Sequence, residues 1–305
     1  MKHLFIINPI AGGKRAKPND TKRLIESVAD ILNINYEIYF TTAPMDACRK
    51  VAHDADNSEN IRVYACGGDG TLNECVNGAA LRQNTAVTHF PHGTGNDFIK
   101  TFGRENVDKF RDIKSLVHGS VHKLDLINCS DGRYGINVCS VGIDARVGRD
   151  VHKYSKLPLI GGGAAYVISM IANLISGIGQ RYHIKGDCID QDNDITLMCV
   201  CNGRYYGGGF NPMPDALPND GILDILIIKA IPFIRAATIV GKYAKGQYKE
   251  LDKYITHIRS DYIEVEAEHN FVVNVDGEML NRKKLSFKLI PAGVNFILPN
   301  GVGID

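Results

Sequence analysis

The sequence predicts two domains in tandem, an α/β N-terminal domain and a β-rich, sandwich-like C-terminal domain. Three observations carry that prediction. The chain has 305 residues, the length of about two domains at ~150 residues each. Over the first hundred residues short apolar runs alternate with amphipathic stretches, the pattern of β-α-β units on a largely parallel sheet. After Lys123 closely spaced apolar runs joined by Asp, Asn and Gly turns take over, which favours antiparallel pairing. The expected divisions are 1–123, 124–290 and 291–305, the last a strand and tail that either finishes the second domain or returns to the first.

In order, Leu4 to Asn8 reads as a strand, followed by the Gly12-Gly13 turn and the basic segment KRAK. Asp20 or Thr21 is placed to cap a helix running to Leu32, with Leu24, Val28 and Ile31 on one face. Tyr36 to Phe40 is a second strand and Asp46 to Asp54 a second helix. Ile61 to Cys66 is a strand that ends in GGDGT, with a helix from Leu72 to Leu81. Ala86 to Phe90 is a strand that ends in PHGTGNDF, and a helix is expected from Asp108 to Val117. The second domain contributes LDLINC, YGINVCSVGID, RYHIKGD, NDITLMCVCNG, GILDILIIKA, DYIEVEAE and NFVVNVDGE as strands, with Val294 to Leu298 as the last. Helices are expected at 164–176 and 232–248.

Composition excludes several classes. At 44% hydrophobic and 23% charged the chain is neither disordered nor fibrous. Lys+Arg 35 against Asp+Glu 34 leaves a net charge of +1, which argues against nucleic acid as a partner. None of the eight cysteines forms a CxxC pair, so buried reduced thiols and a cytoplasmic location are expected. The uncharged stretch from Leu157 to Gln180 approaches the ~20 residues of a membrane span. It is broken by Pro158, by glycines at both ends and by Asn173, and reads as a buried helix or one lining an apolar cleft.

Gly67-Gly68-Asp69-Gly70-Thr71 follows an apolar strand and precedes a helix. Consecutive glycines let backbone N–H groups approach phosphate oxygens, and a helix N-terminus adds positive charge. A tight structural turn is the competing reading. Asp69 sits oddly beside phosphates unless a divalent cation or a hydrogen-bond network intervenes. There is no GxxxxGK[ST] and no GxGxxG after the first strand, so neither an ordinary P-loop nor a standard dinucleotide fold is indicated. A second loop, Pro91 to Phe98, stands one strand later, and in a parallel sheet both open at the carboxyl edge where ligands bind.

With these pieces together the chain resembles the diacylglycerol kinase catalytic-domain superfamily, which includes sphingosine and ceramide kinases, and within it the soluble bacterial lipid kinase branch. The matching segments are Asn8-Pro9, GGDGT at 67–71, PHGTGNDF at 91–98, CNGRYYGGG at 201–209, PDALPNDGILD at 214–224 and VDGE at 275–278. They follow the family's order and span nearly the whole chain. His92 and Cys201 depart from it, standing where smaller residues are more usual. The resemblance implies an active site in the interdomain cleft, with ATP and Mg²⁺ as cofactors. Asn8, Thr42, Gly67, Gly68, Asp69, Gly70, Thr71, Thr94 and Asn96 would then bind the nucleotide. Asp69, Asp97 and Asp125 would form the active-site magnesium network. The Asp220 carboxylate and the carbonyls of Leu217 and Ile222 would hold a structural magnesium. Asp276 and Glu278 match the acidic catalytic motif, with Asp276 the expected base, Glu278 its support and Asp69 the acidic group near metal and phosphates.

For Asp276-Gly277 a hairpin turn is the plain alternative, and for Asp220 a turn aspartate. Arg235, Lys242, Lys245 and Lys249 fall near one face of the helix expected there, either a solvated basic face or an attraction to anionic membranes and phosphorylated product. The expectation is therefore a cytoplasmic, peripherally membrane-associated lipid kinase of phospholipid metabolism, with diacylglycerol converted to phosphatidic acid. The resemblance further implies a homodimer. Sphingoid or other lipid alcohols, an NAD or polyol kinase, and a non-enzymatic nucleotide or lipid sensor are the competing readings. The VDGE and PDALPNDGILD segments argue against the soluble acceptors, and the intact acidic residues against the sensor.

Overall fold

The computed structural model describes residues 1–13, 17–93, 95–142, 180–231 and 233–304. The apolar segment 157–180, apart from Gln180, lies outside them, as does Thr94. Among the described residues no helix is long and apolar enough to cross a membrane.

The chain forms two compact units, Met1–Leu126 with Pro291–Asp305, and Ile127–Ile290. In the first, β1 (Lys2–Ile7), β2 (Tyr36–Phe40), β3 (Ile61–Gly67) and β4 (Thr85–Pro91) make a parallel sheet in the order β2-β1-β3-β4. β1, β3 and β4 are almost wholly buried, which is why they read as unbroken apolar runs. The C-terminal end of β13 (Glu278–Leu298) adds a further parallel strand, with Asn295 opposite Ala86 and Phe296 opposite Val87. Gly67 and Pro91 stand opposite each other at the ends of β3 and β4, so both glycine loops leave from one edge.

Three helices follow the strands. α1 (Pro18–Leu32) starts at a proline and ends at Asn33 in the left-handed conformation. Its inward residues are Thr21, Ile25 and Ala29, while Leu24 and Ile31 are exposed. The expected face is thus one position off, because small Thr21 and Ala29 let the helix lie close where a count of large apolar residues alone misjudges the stripe. Thr21 is not the cap: it lies in the first turn and its hydroxyl donates to the Lys17 carbonyl. α2 (Asp46–Asp56) has its first N–H groups satisfied by Glu74 of α3 (Asp69–Ala79), which accepts from Met45 N at 2.8 Å and Ala47 N at 3.1 Å. The single helix expected over 108–117 is instead the end of a 3-10 segment, Arg104–Arg111, and a short α4 (Ile113–Val117); another 3-10 segment, Phe98–Phe102, precedes them. Asp112 caps α4 by accepting from Lys114 N, which ends the preceding segment there.

The second unit is antiparallel. β9 (Ile189–Cys201) and β12 (Tyr262–Val275) are bridged at one end by β8 (Gln180–Gly186) and at the other by β7 (Val138–Gly142). β10 (Leu223–Lys229) and β11 (Ile255–Ser260) extend the sheet beyond β9. β5 (Ser120–Cys129) runs from the first unit into the second and pairs there with the two-residue β6 (Tyr134–Gly135). Successive residues of β9 serve two cores: Ile195, Met198 and Val200 belong to one, Leu197, Cys199 and Cys201 to the other. That is why ITLMCVC is continuously apolar. The segments expected as separate strands, DYIEVEAE at 261–268 and NFVVNVDGE at 270–278, fall largely on one strand, β12, whose register shifts between Glu266 and Phe271. The eight cysteines are all reduced; Cys188 is exposed, contrary to expectation, and Cys48 half-buried.

α5 (Phe233–Tyr243) is shorter than expected. It stops before Gly246, which has φ 72° and donates to the Tyr243 carbonyl. Lys245 and Lys249 therefore lie beyond the helix, and the expected four-residue basic face does not form. Lys242 pairs with Glu250 at 2.8 Å, Lys249 with Asp215 at 2.8 Å, and Arg235 donates to the Tyr254 hydroxyl.

Candidate active site

The two glycine loops of the first unit touch backbone to backbone. A Cβ built on Gly93 would lie 2.6 Å from Gly68 Cα, and one on Gly68 3.3 Å from Gly93 Cα, so a side chain at Gly93 would force the loops apart. Gly67 is held to a bare backbone for another reason: its Cβ would meet Thr71 Oγ1 at 2.3 Å. Thr71 Oγ1 in turn accepts from Asn8 Nδ2 at 3.1 Å, and Asn8 Oδ1 accepts from Ile10 N. Asn8, Gly67 and Thr71 are thereby brought together at the ends of β1 and β3.

Asp69 is the first residue of α3, with Gly68 at its N-cap, three residues before the expected start at Leu72. A carboxylate there is favourable to the helix dipole. Its Oδ1 accepts from Asp97 N at 2.7 Å, so the first loop grips the second. Burial pushes the Asp69 carboxyl above its ordinary range, opposed by backbone N–H groups of Asp97, Phe98 and Asn96 and by Lys100. A Cβ on Gly95 would lie 2.8 Å from Asp69 Oδ2 and 3.6 Å from Asp97 Oδ2, so the second oxygens of both acids converge there. Lys100 pairs with Asp97 at 2.5 Å. Asn96, at φ 49°, spends its amide on closing its own loop: Oδ1 accepts from Gly93 N and Nδ2 donates to Gly93 O. Asp125 is buried and accepts from Ala292 N at 2.8 Å.

Thr42 donates both its N–H and its hydroxyl to Asp46 Oδ2, at 2.8 and 3.0 Å. Asp46 also accepts from the Tyr39 hydroxyl. The Thr42 backbone N–H bond is the main reason the Asp46 carboxyl sits below its usual range. His92 is seated with Nε2 3.2 Å from Thr21 Oγ1 and its ring edge-on to Phe90 at 4.9 Å. Burial pushes its imidazole down.

In the second unit, Asp276 and Gly277 have φ of 48° and 101° and form the two-residue turn between β12 and β13, with Val275 opposite Glu278. The hairpin reading of this motif is therefore correct, and it coexists with a specific role for the carboxylate. Asp276 accepts from Ile136 N at 2.6 Å, Asn137 N at 3.1 Å and Val138 N at 2.9 Å. Glu278 is exposed. The backbone is not extended at 276–277, so the alternation that on a strand would put Asp276 and Glu278 on one face does not apply.

At the segment 214–224, Asp220 faces Arg259 Nη2 at 2.5 Å and accepts from Ile222 N at 3.3 Å. Arg259 also reaches Asp224 at 3.5 Å, and His257 bonds Asp224 at 2.7 Å. Among the described residues no group of three or more His, Cys, Asp or Glu side chains is placed to hold a metal ion. Within 201–209 Tyr206 is buried, its hydroxyl 3.0 Å from that of Tyr243.

Sequence reasoning missed Asp46, Glu74 and the amide run at 136–138. Asp46 had a signal, an acid four residues after Thr42 at the start of a helix. Glu74 and the amides had none, because their partners are 27 to 29 and about 140 residues away.

The parallel sheet with two glycine loops at one edge and the β-rich unit carrying an acidic hairpin each match a known domain. Residues 2–129 match the diacylglycerol kinase catalytic domain, and residues 137–298 match the YegS C-terminal NAD kinase beta sandwich-like domain. The chain belongs to this YegS-like family of lipid kinases, with an α/β domain followed by a β-sandwich-like one. A protein of Shewanella frigidimarina named "Probable lipid kinase YegS-like" is 29% identical over 79% of this chain and 78% of its own. One of Yersinia enterocolitica bearing the same name is 27% identical over 98% of each. A solved structure described as a diacylglycerol kinase of Bacillus anthracis str. Sterne is 23% identical, covers 99% of this chain and 98% of its own, and has a TM-score of 0.71, a likeness of fold.

Proposed function

We propose that the chain is an ATP-dependent lipid kinase that transfers the γ-phosphoryl group to a lipid hydroxyl at a membrane surface, with diacylglycerol as acceptor and phosphatidic acid as product. The observation that carries this reading is the Gly68–Gly93 contact, which leaves two bare backbones beside the start of α3. The first N–H groups of a helix have no intrahelical partner and suit phosphate oxygens.

The residues fit a nucleotide. Asn8, Gly67 to Thr71 and Thr94 would take the phosphates. Thr42 donates its hydroxyl to Asp46 and so has only acceptor capacity left, which suits a ribose or base donor rather than a phosphate. Asn96 would act through the loop it closes. Magnesium, carried largely by phosphate oxygens and water, needs one or two carboxylates, and the oxygens of Asp69 and Asp97 that face Gly95 fit that demand. Bound there it would offset the charge on the transferring phosphoryl group. At Asp220 the residues do not fit a metal, because the carboxylate already has a cationic partner in Arg259.

In the transfer, the lipid oxygen forms a bond to the γ-phosphorus as the bond to the β-phosphate oxygen breaks, and the hydroxyl proton passes to a carboxylate. The geometry supports Glu278 as that base, since it is exposed. Asp276 spends its oxygens on three backbone N–H groups and would support the turn that presents Glu278.

The test is transfer of labelled phosphate from γ-labelled ATP into mixed micelles of diacylglycerol, sphingosine and other lipid alcohols, with Mg²⁺, with chelator, and with Glu278→Gln. Label in phosphatidic acid that needs both metal and Glu278 supports the reading. Label in another lipid replaces the acceptor, and no transfer to any lipid by folded, metal-supplied protein overturns it.

A further inference from the structure

We propose that His89 is a positioning residue for nucleotide binding, a neutral imidazole that fixes the Gly67 carbonyl where the two glycine loops meet. The inference rests on the ATP-binding reading above.

His89 lies on β4, two residues before the second loop, and is wholly buried. Its Nε2 is 3.0 Å from the Gly67 carbonyl oxygen. The same oxygen accepts from His92 N at 2.7 Å and from Gly93 N at 3.2 Å. One carbonyl thus gathers the end of β3, the start of the second loop and a side chain from β4. The bonds from His92 and Gly93 come from the second loop itself, whereas His89 sits inside the sheet and gives the carbonyl a reference independent of that loop. The peptide whose orientation it sets runs from Gly67 into Gly68, the N-cap of α3 and the place where Gly93 approaches.

The tautomer follows from the partner. A carbonyl only accepts, so Nε2 carries the hydrogen and Nδ1 is left as an acceptor. Nδ1 has no hydrogen-bond partner among the described residues. A second proton would put an N–H where nothing receives it, and burial pushes the imidazole down to about 4. As a core residue this histidine is a poor choice: half of its polar capacity is buried unspent, and Gly67 O would keep two donors without it. A function in setting the loop accounts for what packing does not.

The experiment compares the full chain with His89→Phe, which keeps a ring and loses the donor, and His89→Gln, whose amide N–H can reach the same oxygen. ATP affinity is measured by titration calorimetry without lipid, stability by thermal unfolding, and the imidazole tautomer by ¹⁵N NMR. The expected result is weaker ATP binding in His89→Phe by about fivefold, one neutral hydrogen bond's worth. Its Tm should be unchanged or raised, His89→Gln should recover most of the affinity, and the wild type should show the Nε2–H tautomer. Wild-type affinity in His89→Phe overturns the inference, as does equal weakening in both variants, a lowered Tm with unchanged affinity, or an Nδ1–H tautomer. A wild-type protein that binds no ATP overturns the nucleotide reading itself, so the two failures are distinguishable.

Discussion

Asp69 and Asp276 stand at the centres of the two acidic motifs, and each carboxylate holds a backbone segment distant in sequence. Asp69 reaches Asp97 N from the first turn of a helix; Asp276 reaches three successive N–H groups at 136–138 from a hairpin turn. The difference lies in the surroundings. Asp69 turns Oδ2 toward Gly95, where Asp97 Oδ2 also lies, and its burial disfavours the charge it carries. Asp276 commits both oxygens, and its neighbour Glu278 is the one left exposed. A carboxylate in a motif is thus not automatically the reacting group; it can be the clamp that aims another.

The largest expected effect separates Asp276 from Glu278. Glu278→Gln should cut lipid phosphorylation by on the order of 10²- to 10⁴-fold and leave thermal stability unchanged. Asp276→Ala, which strands three N–H groups, should lower unfolding free energy by roughly 1–3 kcal/mol as well as activity, measured by denaturant titration. A fully stable Asp276→Ala beside an active Glu278→Gln would break the comparison.

Next comes the loop contact. Gly93→Ala puts a methyl within 2.6 Å of Gly68 Cα and should slow transfer by about 10²-fold, the cost of a ~1 Å misplacement near the reacting groups. Steady-state kinetics against ATP would show it, and wild-type kinetics would mean that the loops are free to separate.

A third prediction concerns stability alone. Lys2 and Lys50 each pair with Glu37 and Asp54 at 2.6 to 2.9 Å. Burial alone would raise both carboxyls, but hydrogen bonds from the two lysines outweigh it and hold them below the usual range. The stability from this network is present above the ordinary carboxylate range near pH 4 and is lost as pH falls through the depressed folded values. Asp54→Ala should cost on the order of 2 kcal/mol with transfer unaffected, and should flatten the acid limb of the stability profile. The smallest effect is expected at Asp220: with Arg259 as its counter-ion, chelation should leave the Tm within about 1 °C, about 0.6 kcal/mol for a chain of this size. A larger drop would restore a metal there.

Much of the fold was legible because its signals are local. β2 was bounded correctly at Tyr36 and Phe40, and the glycine loops were found where strands end. Local signals failed where size mattered more than polarity, as on α1, where Thr21 and Ala29 face inward in place of Leu24 and Ile31. They failed again where two apolar runs joined across a register shift, as in β12. His89 had one quiet signal, a single imidazole in the buried run AVTHF.

By itself the sequence determined the strand–helix alternation, the antiparallel second half and the set of polar residues at the loops, since periodicity, turn residues and glycine runs act over a few positions. The tertiary structure alone decided which of those residues are spent on the fold. Thr42 gives its hydroxyl to Asp46, Asn96 closes its own loop, Asp220 pairs with Arg259, and Asp276 is held by amides about 140 residues away. A hydrogen bond between distant segments depends on where the folded backbone brings them, and residue spacing carries no record of that.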